Sequence, residues 1–347
     1  MSKVATLSAA TLAVAIGAAL VTTRAQEEWQ TSPALKALYE RGRVEGQVVL
    51  WGPQDRELEW IPAEFGKRFP GIQVKWAADR AANTKIVTEH RAGRHAVDVF
   101  TFSLGGTLPL ADRKMLGTND WTIWSGDSRS ALLGGTVAPL YNLVYSVVYN
   151  DTLVKPAELP KTWDDLLAPR WKGKLVASQF LLPRLLGFLA LEWGPAKATE
   201  YARALVDRQD TLITRAPREV ILQRGERLIA VGEFVSASLY WKSLGMPIGW
   251  VPMPIMPAAQ FGVSTLASAP HPNAAKLLAG WMITPEAKAA RERLRFDADV
   301  RPGAKTNLAA RLFSSGGRIV YEDVENMKAR AAHYEAMSAI VAGRARP

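Results

Sequence analysis

The chain of 347 residues contains no cysteine. Disulfides, thiolate metal sites and cysteine nucleophiles are therefore excluded, as is a lipid-modified N-terminal cysteine. Histidine is scarce, with only His90, His95, His271 and His333, so acid–base chemistry would fall largely to carboxylates. The sequence has no Gly-x-Ser-x-Gly elbow, no His-Glu-x-x-His and no phosphate-binding loop, which removes the usual signatures of serine hydrolases, zinc proteases and nucleotidases. After residue 25 no stretch reaches the roughly 18 apolar residues of a membrane span. Internal repeats, low-complexity tracts and long basic runs are also lacking. The net charge of +10 is scattered among acids, without the basic patches and interleaved aromatics of a nucleic-acid binder. It reads as a solvated basic surface that would also suit an anionic solute.

What is present is enough chain for two domains, an apolar fraction of 48% and twelve tryptophans. Lys3, the apolar small-residue run Val4 to Val21 and Thr23-Arg24-Ala25 read as an export signal over residues 1–25, cleaved before Gln26. The alternative is an uncleaved anchor. Cleavage leaves a charge of +8 and a free periplasmic protein.

Hydrophobic periodicity sets out the order of elements. Ser32 to Arg43 is predicted helical, Gln47 to Trp51 a strand, and Arg56 to Phe69 a single helix. Ile72 to Trp76 is a second strand, Asn83 to Arg91 a helix stopped by Gly93, and Val97 to Thr101 a third strand. That alternation implies right-handed crossovers and a mainly parallel sheet, with ligands at the carboxyl ends of its strands. The loops Gly52 to Asp55 and Phe102 to Gly106 lie there. Val137 to Asn150 reads as a strand crossing into a second domain, with Tyr141 and Asn142 at its start. Helices follow at Pro183–Trp193, Ala196–Val206, Pro217–Gln223 and Phe234–Gly245, and a strand at Leu228–Val231. Ile248 to Met256, with two prolines inside it and Pro247 and Pro257 at its flanks, suits an edge or returning segment. The tail from Thr306 to Gly343 is expected to be helical.

Two segments carry a family pattern. In Leu159 to Val176, LPKTWDDLLAPRWKGKLV, a capped helical turn, a proline break and Trp-Lys-Gly-Lys lead into a strand. In Ala269-Pro270-His271-Pro272-Asn273-Ala274-Ala275-Lys276-Leu277, followed by Trp281 and Thr284-Pro285-Glu286-Ala287, one helix precedes a second that starts on proline. His271, between two prolines, reads as a loop residue. Together these resemble the periplasmic solute-binding proteins of ABC importers, in the branch that includes the ferric-ion-binding proteins, over Val44 to about Pro302. The resemblance implies an α/β, periplasmic-binding-protein-like bilobal fold of type II, with two crossing strands. Residues 26–138 with 256–295 would form domain I, and 139–255 with 296–347 domain II. It also implies a monomer without catalytic activity or a cofactor. Such a protein captures a small solute between its domains and delivers it to an ABC permease and ATPase in the inner membrane.

The same resemblance points to site residues. In ferric-binding members two adjacent tyrosines, a histidine and a glutamate hold iron. Here Asp55, beside Gln54, takes the histidine position, Ser103 the glutamate position, and Val235-Ser236 the tyrosine pair. All four ligands are replaced, and Fe³⁺ requires hard anionic donors. Tyr240 is the residue through which iron could return. The anion-holding turn of the relatives falls on Gln179-Phe180-Leu181-Leu182-Pro183-Arg184. Arg215 and Arg218 flank Pro217 at a helix start, where a guanidinium can take a carboxylate or phosphonate in bidentate fashion. Glu233 could pair an arginine or accept from a ligand amine. The expected ligand set is Gln54, Asp55, Ser103, Tyr141, Gln179, Phe180, Arg215, Arg218, Glu233 and Ser236, with an organic anion as solute. Trp51 and Trp241 fit either the ligand or the core. Iron transport is the first alternative, and a hydrolase using Asp55 and Glu233 the second.

Overall fold

The structure is a computed structural model that describes residues 32–124 and 131–343; the expected export signal, residues 1–25, lies outside them. Helix α1 (Pro33–Glu45) opens on Ser32, whose side chain accepts from the Leu35 amide. Strand β1 (Gln47–Gly52) leads to α2 (Asp55–Leu58) and α3 (Ile61–Arg68). The single helix expected over Arg56–Phe69 is thus two. Pro62 in the first turn of α3 explains the break, because its ring would clash with the Leu58 carbonyl four residues back. Then come β2 (Gln73–Ala78), α4 (Ala82–Arg91), β3 (Val99–Ser103), α5 (Leu104–Asp112) and β4 (Ala138–Asn150). The expected capped turn is a 3₁₀ turn, Asp164–Leu167, with Thr162 Oγ1 accepting from the Asp165 amide at 3.2 Å, and a second 3₁₀ turn, Pro169–Trp171, starts on the proline that ends it.

The chain continues through β5 (Leu175–Ser178), α6 (Leu182–Trp193) and α7 (Pro195–Arg203), which runs into a π-helical turn, Ala204–Arg208. Next are β6 (Leu212–Thr214), α8 (Arg218–Gln223), β7 (Ile229–Phe234), α9 (Val235–Ser243), β8 (Ile248–Val251) and β9 (Ile255–Thr265). The returning segment is therefore β9, longer and later than Ile248–Met256; the prolines fall in and around the short gap between β8 and β9. Helices α10 (Pro272–Met282), α11 (Pro285–Arg295) and α12 (Asn307–Phe313) precede β10 (Arg318–Tyr321) and α13 (Val324–Ala342). The tail is not all helix. Gly316-Gly317 breaks it, and Ile319-Val320-Tyr321 pairs in parallel with Met256-Pro257-Ala258 of β9.

Two compact units divide the described residues. The first runs through Thr101, then Leu110–Ala138 and Val263–Ala290; the second comprises Phe102–Pro109, Pro139–Gly262 and Arg291 onward. These boundaries differ from the sequence expectation at 102–109, 256–262 and 291–295. In the first unit β1 lies between β2 and β3, parallel to both, as the strand–helix alternation requires. Leu50, Phe65, Phe69 and Trp281 are fully buried, and Phe65 meets Trp281 edge-on at 5.4 Å between centroids. Burying such side chains contributes about 2–3 kcal/mol each. Gly280 of α10 admits the Trp124 ring, since a Cβ there would lie 1.8 Å from Trp124 Cε2.

In the second unit the strand order is β4-β7-β5-β6. Strands β5, β6 and β7 are mutually parallel, while β4 runs antiparallel to β7 and to β8. Helix α6 is buried along most of its length, because its sequence LPRLLGFLALEW is apolar on nearly every face. Trp241 packs in the core with Val148, Val176 and Ile248, which settles its role as structural. Among the described residues no helix is long and apolar enough to cross a membrane.

Candidate functional site

The carboxyl ends of β5, β6 and β7 form one edge of the second unit, and six residues of the expected ligand set follow or end those strands. Gln179 and Phe180 follow β5, and the Gln179 amide donates to the Thr214 carbonyl at the end of β6. Ser178 Oγ accepts from the amides of Phe180 and Leu181 at 3.2 and 3.3 Å, turning the chain into α6. Phe180 is 40% exposed, and the exposed Arg215 guanidinium lies 5.6 Å over its ring. Thr214 Oγ1 accepts from the Ala216 amide. Sequence reasoning missed Ser178 and Thr214. The signal was available, because a serine or threonine two residues before a bend is a common side-chain turn former.

Arg218 and Glu233 meet within this edge. Nε of Arg218 donates to Glu233 Oε1 at 2.6 Å, with 17% of the arginine side chain and 2% of the glutamate side chain exposed. Nη1 of Arg218 donates to the Ala216 carbonyl at 3.2 Å. Burial pushes the Glu233 carboxyl above its ordinary value, and the neighbouring guanidinium only partly offsets this. Desolvation lowers the Arg218 guanidinium, but the attraction and hydrogen bond of Glu233, with the charge of Glu219, together hold it above its ordinary value. Helix α8, which starts at Arg218, has only six residues, so its amino end adds little field.

A bulge aims Glu233. In the β4–β7 ladder Ser146 opposes Glu233 while Val147 opposes Val231, leaving Gly232 without a partner. Gly232 has φ of 77°, a left-handed conformation that glycine adopts without strain. The extra residue breaks the alternation of β7 and resets which way the next side chain points. Ser236, in the first turn of α9, is 2% exposed, and among the described residues no hydrogen bond forms to its hydroxyl or to Glu233 Oε2. Phe234 at the head of α9 provides no side-chain cap.

The other expected residues lie elsewhere. Gln54 and Asp55 are exposed at the exit of β1 in the first unit. Ser103 Oγ accepts from the Gly106 amide at 3.3 Å and so starts α5. Tyr141 is buried, stacked 4.9 Å from Phe261 with the Arg291 guanidinium 4.5 Å over its ring. Tyr240 is half-buried beneath the Arg295 guanidinium at 5.2 Å. His271 is tied to buried Asp98, its ring Nδ1 lying 2.8 Å from a carboxylate oxygen, which fits a structural loop residue. Among the described residues no three His, Asp or Glu side chains converge as a metal site.

Parallel strands with helices between them place six residues of the expected ligand set at their carboxyl ends, where α/β sheets hold ligands. The sequence profile of the bacterial extracellular solute-binding proteins matches residues 53–289, and the chain belongs to that family. No curated protein matches it. Among solved structures, the substrate-binding protein of an ABC transporter from Agrobacterium tumefaciens is similar with a TM-score of 0.70 and 13% identity, over 84% of this chain and 94% of that one. The ferric ion-binding protein A of Pasteurella haemolytica, in its apo form, gives 0.68 and 14%, over 86% and 98%. Iron-bound HitA from Pseudomonas aeruginosa gives 0.67 and 16%, over 85% and 99%. At such identities the likeness establishes the fold. Family membership establishes a substrate-binding role, with a small-molecule ligand and a membrane transporter as partners.

Proposed function

We propose that the protein is the substrate-binding component of an ABC-type importer and that its solute is an organic anion, a carboxylate or phosphonate. It is exported to the periplasm by residues 1–25 and works without a cofactor. The observation that carries the anion is the exposed Arg215 guanidinium over the exposed Phe180 ring, at the strand ends where α/β sheets hold ligands. A cation for the head group and an aromatic face for the body form a compact recognition unit. A micromolar affinity requires about −8 kcal/mol, within reach of one charge-assisted pair and an apolar contact.

Ferric ion is the competing cargo, since several similar structures are ferric-binding proteins. The tyrosine on α9, Tyr240, lies under a guanidinium, surroundings that suit an anion better than a trivalent cation. A thermal-shift panel of small carboxylates, phosphonates and aromatic acids against ferric citrate tests the reading. Solute at 100 times its dissociation constant adds about 2.7 kcal/mol, a clear rise in melting temperature. A rise with an organic acid alone supports the proposal; a rise with ferric salts alone refutes it.

A further inference from the structure

The Arg218–Glu233 pair alters what kind of anion the site suits. Glu233 neutralises Arg218 through Nε, so the pair as a whole offers little net charge. Only one of the two carboxylate oxygens is used. Oε2 of Glu233 accepts no hydrogen bond among the described residues, although the side chain is 2% exposed. Oε2 keeps a small opening to solvent, through which a donor can reach it. The Gly232 bulge that turns the end of β7 sets the carboxylate there. Ser236, three residues on, is 2% exposed, and its hydroxyl makes no hydrogen bond among the described residues without being sealed from solvent. Two acceptors that take no protein donor, on side chains almost wholly covered, are what a bound N–H donor needs. Arg215 remains as the exposed cation of the edge.

We infer that the solute is a zwitterion, whose ammonium donates to Glu233 Oε2 and the Ser236 hydroxyl while its carboxylate or phosphonate faces Arg215. This rests on the organic-anion reading and narrows it. Arg218 is then a positioning residue that holds Glu233 ionised and oriented.

Calorimetric titration of the purified protein with matched pairs tests the inference: phenylalanine against 3-phenylpropionate, 4-aminobutyrate against butyrate, and aminomethylphosphonate against methylphosphonate. In at least one pair the amino member is expected to bind about 10- to 100-fold more tightly, the range of a hydrogen bond to a charged group. Glu233→Gln should weaken that amino member at least about tenfold and leave its deaminated partner unchanged. Ser236→Ala, which leaves the ion pair intact, should weaken the amino member severalfold and serves where Glu233→Gln fails to fold. Equal or tighter binding of the deaminated acids overturns the zwitterion and leaves the anion reading standing. Binding of no member of any pair overturns both.

Discussion

Replacing Arg218 with methionine removes the partner of a buried carboxylate while keeping a side chain of similar reach. The native contact is 2.6 Å, with 17% of Arg218 and 2% of Glu233 side chain exposed. At that distance and an effective dielectric of about 20 the attraction is about 6 kcal/mol before desolvation is counted. Breaking one side of a buried pair costs about 3–5 kcal/mol, because the remaining charge is uncompensated. The residual solvent access of Arg218 puts the expected loss near the lower end, about 3 kcal/mol at neutral pH. The loss should depend on pH. Burial already raises the Glu233 carboxyl, with Arg218 opposing, and without Arg218 the rise is larger. A group whose folded value is raised contributes its stability below its unfolded value and loses it as pH rises through the folded one. The cost of Arg218→Met should therefore be small in acid and grow as pH rises above the ordinary carboxylate range. Urea unfolding at about pH 5 and about pH 7.5 reads this directly. Equal destabilisation at both values would refute the reasoning, as would an Arg218→Met/Glu233→Gln protein no more stable at neutral pH than Arg218→Met.

Three further outcomes are expected. Gly232→Ala forces a side chain into φ of 77° and sets its Cβ 3.0 Å from Leu185 Cδ2, so stability should fall by about 1–2 kcal/mol and solute affinity should fall with it; denaturant melts and calorimetry measure the two. Burial pushes the Tyr145 phenol up to about 12, so it contributes about 2–3 kcal/mol that is intact below the ordinary value near 10 and lost as pH climbs from there through about 12; Tyr145→Phe should flatten the alkaline limb of the stability curve. Arg215→Ala removes an exposed cation, and is expected to weaken the solute at least about tenfold while shifting stability by less than about 0.5 kcal/mol.

The parts of the fold legible in the sequence were those set by local pattern. Ser32 before Pro33 marked α1, Gly93 stopped α4, and β-branched runs marked β1, β2 and β3. Pro62 was visible too, yet the stripe Leu58, Ile61, Phe65 and Phe69 suggested one continuous helix. Apolar periodicity is preserved across the kink, which is why it hid the break. Strand β10 was hidden for a different reason. Four residues between helices become a strand only because β9 offers a free ladder beside them, and pairing partners are not written locally. The site divides in the same way. Arginine, glutamate and phenylalanine at strand exits are readable as residue types. That Glu233 and Arg218, 15 positions apart, share a bond depends on β6 and β7 flanking β5. The bulge at Gly232 depends on its pairing with β4, and no single-strand pattern contains it.

The most direct test of a solute binder for an organic anion is recovery. The purified protein is mixed with a slight excess of the best-stabilising acid and freed of unbound solute. It is then denatured, and the released small molecule is quantified by mass spectrometry. The account expects about one equivalent per chain, chemically unchanged, and a marked loss with Arg215→Ala. Release of a cleaved product would instead make the protein an enzyme on this fold, and retention of iron with no organic acid would make it a ferric carrier.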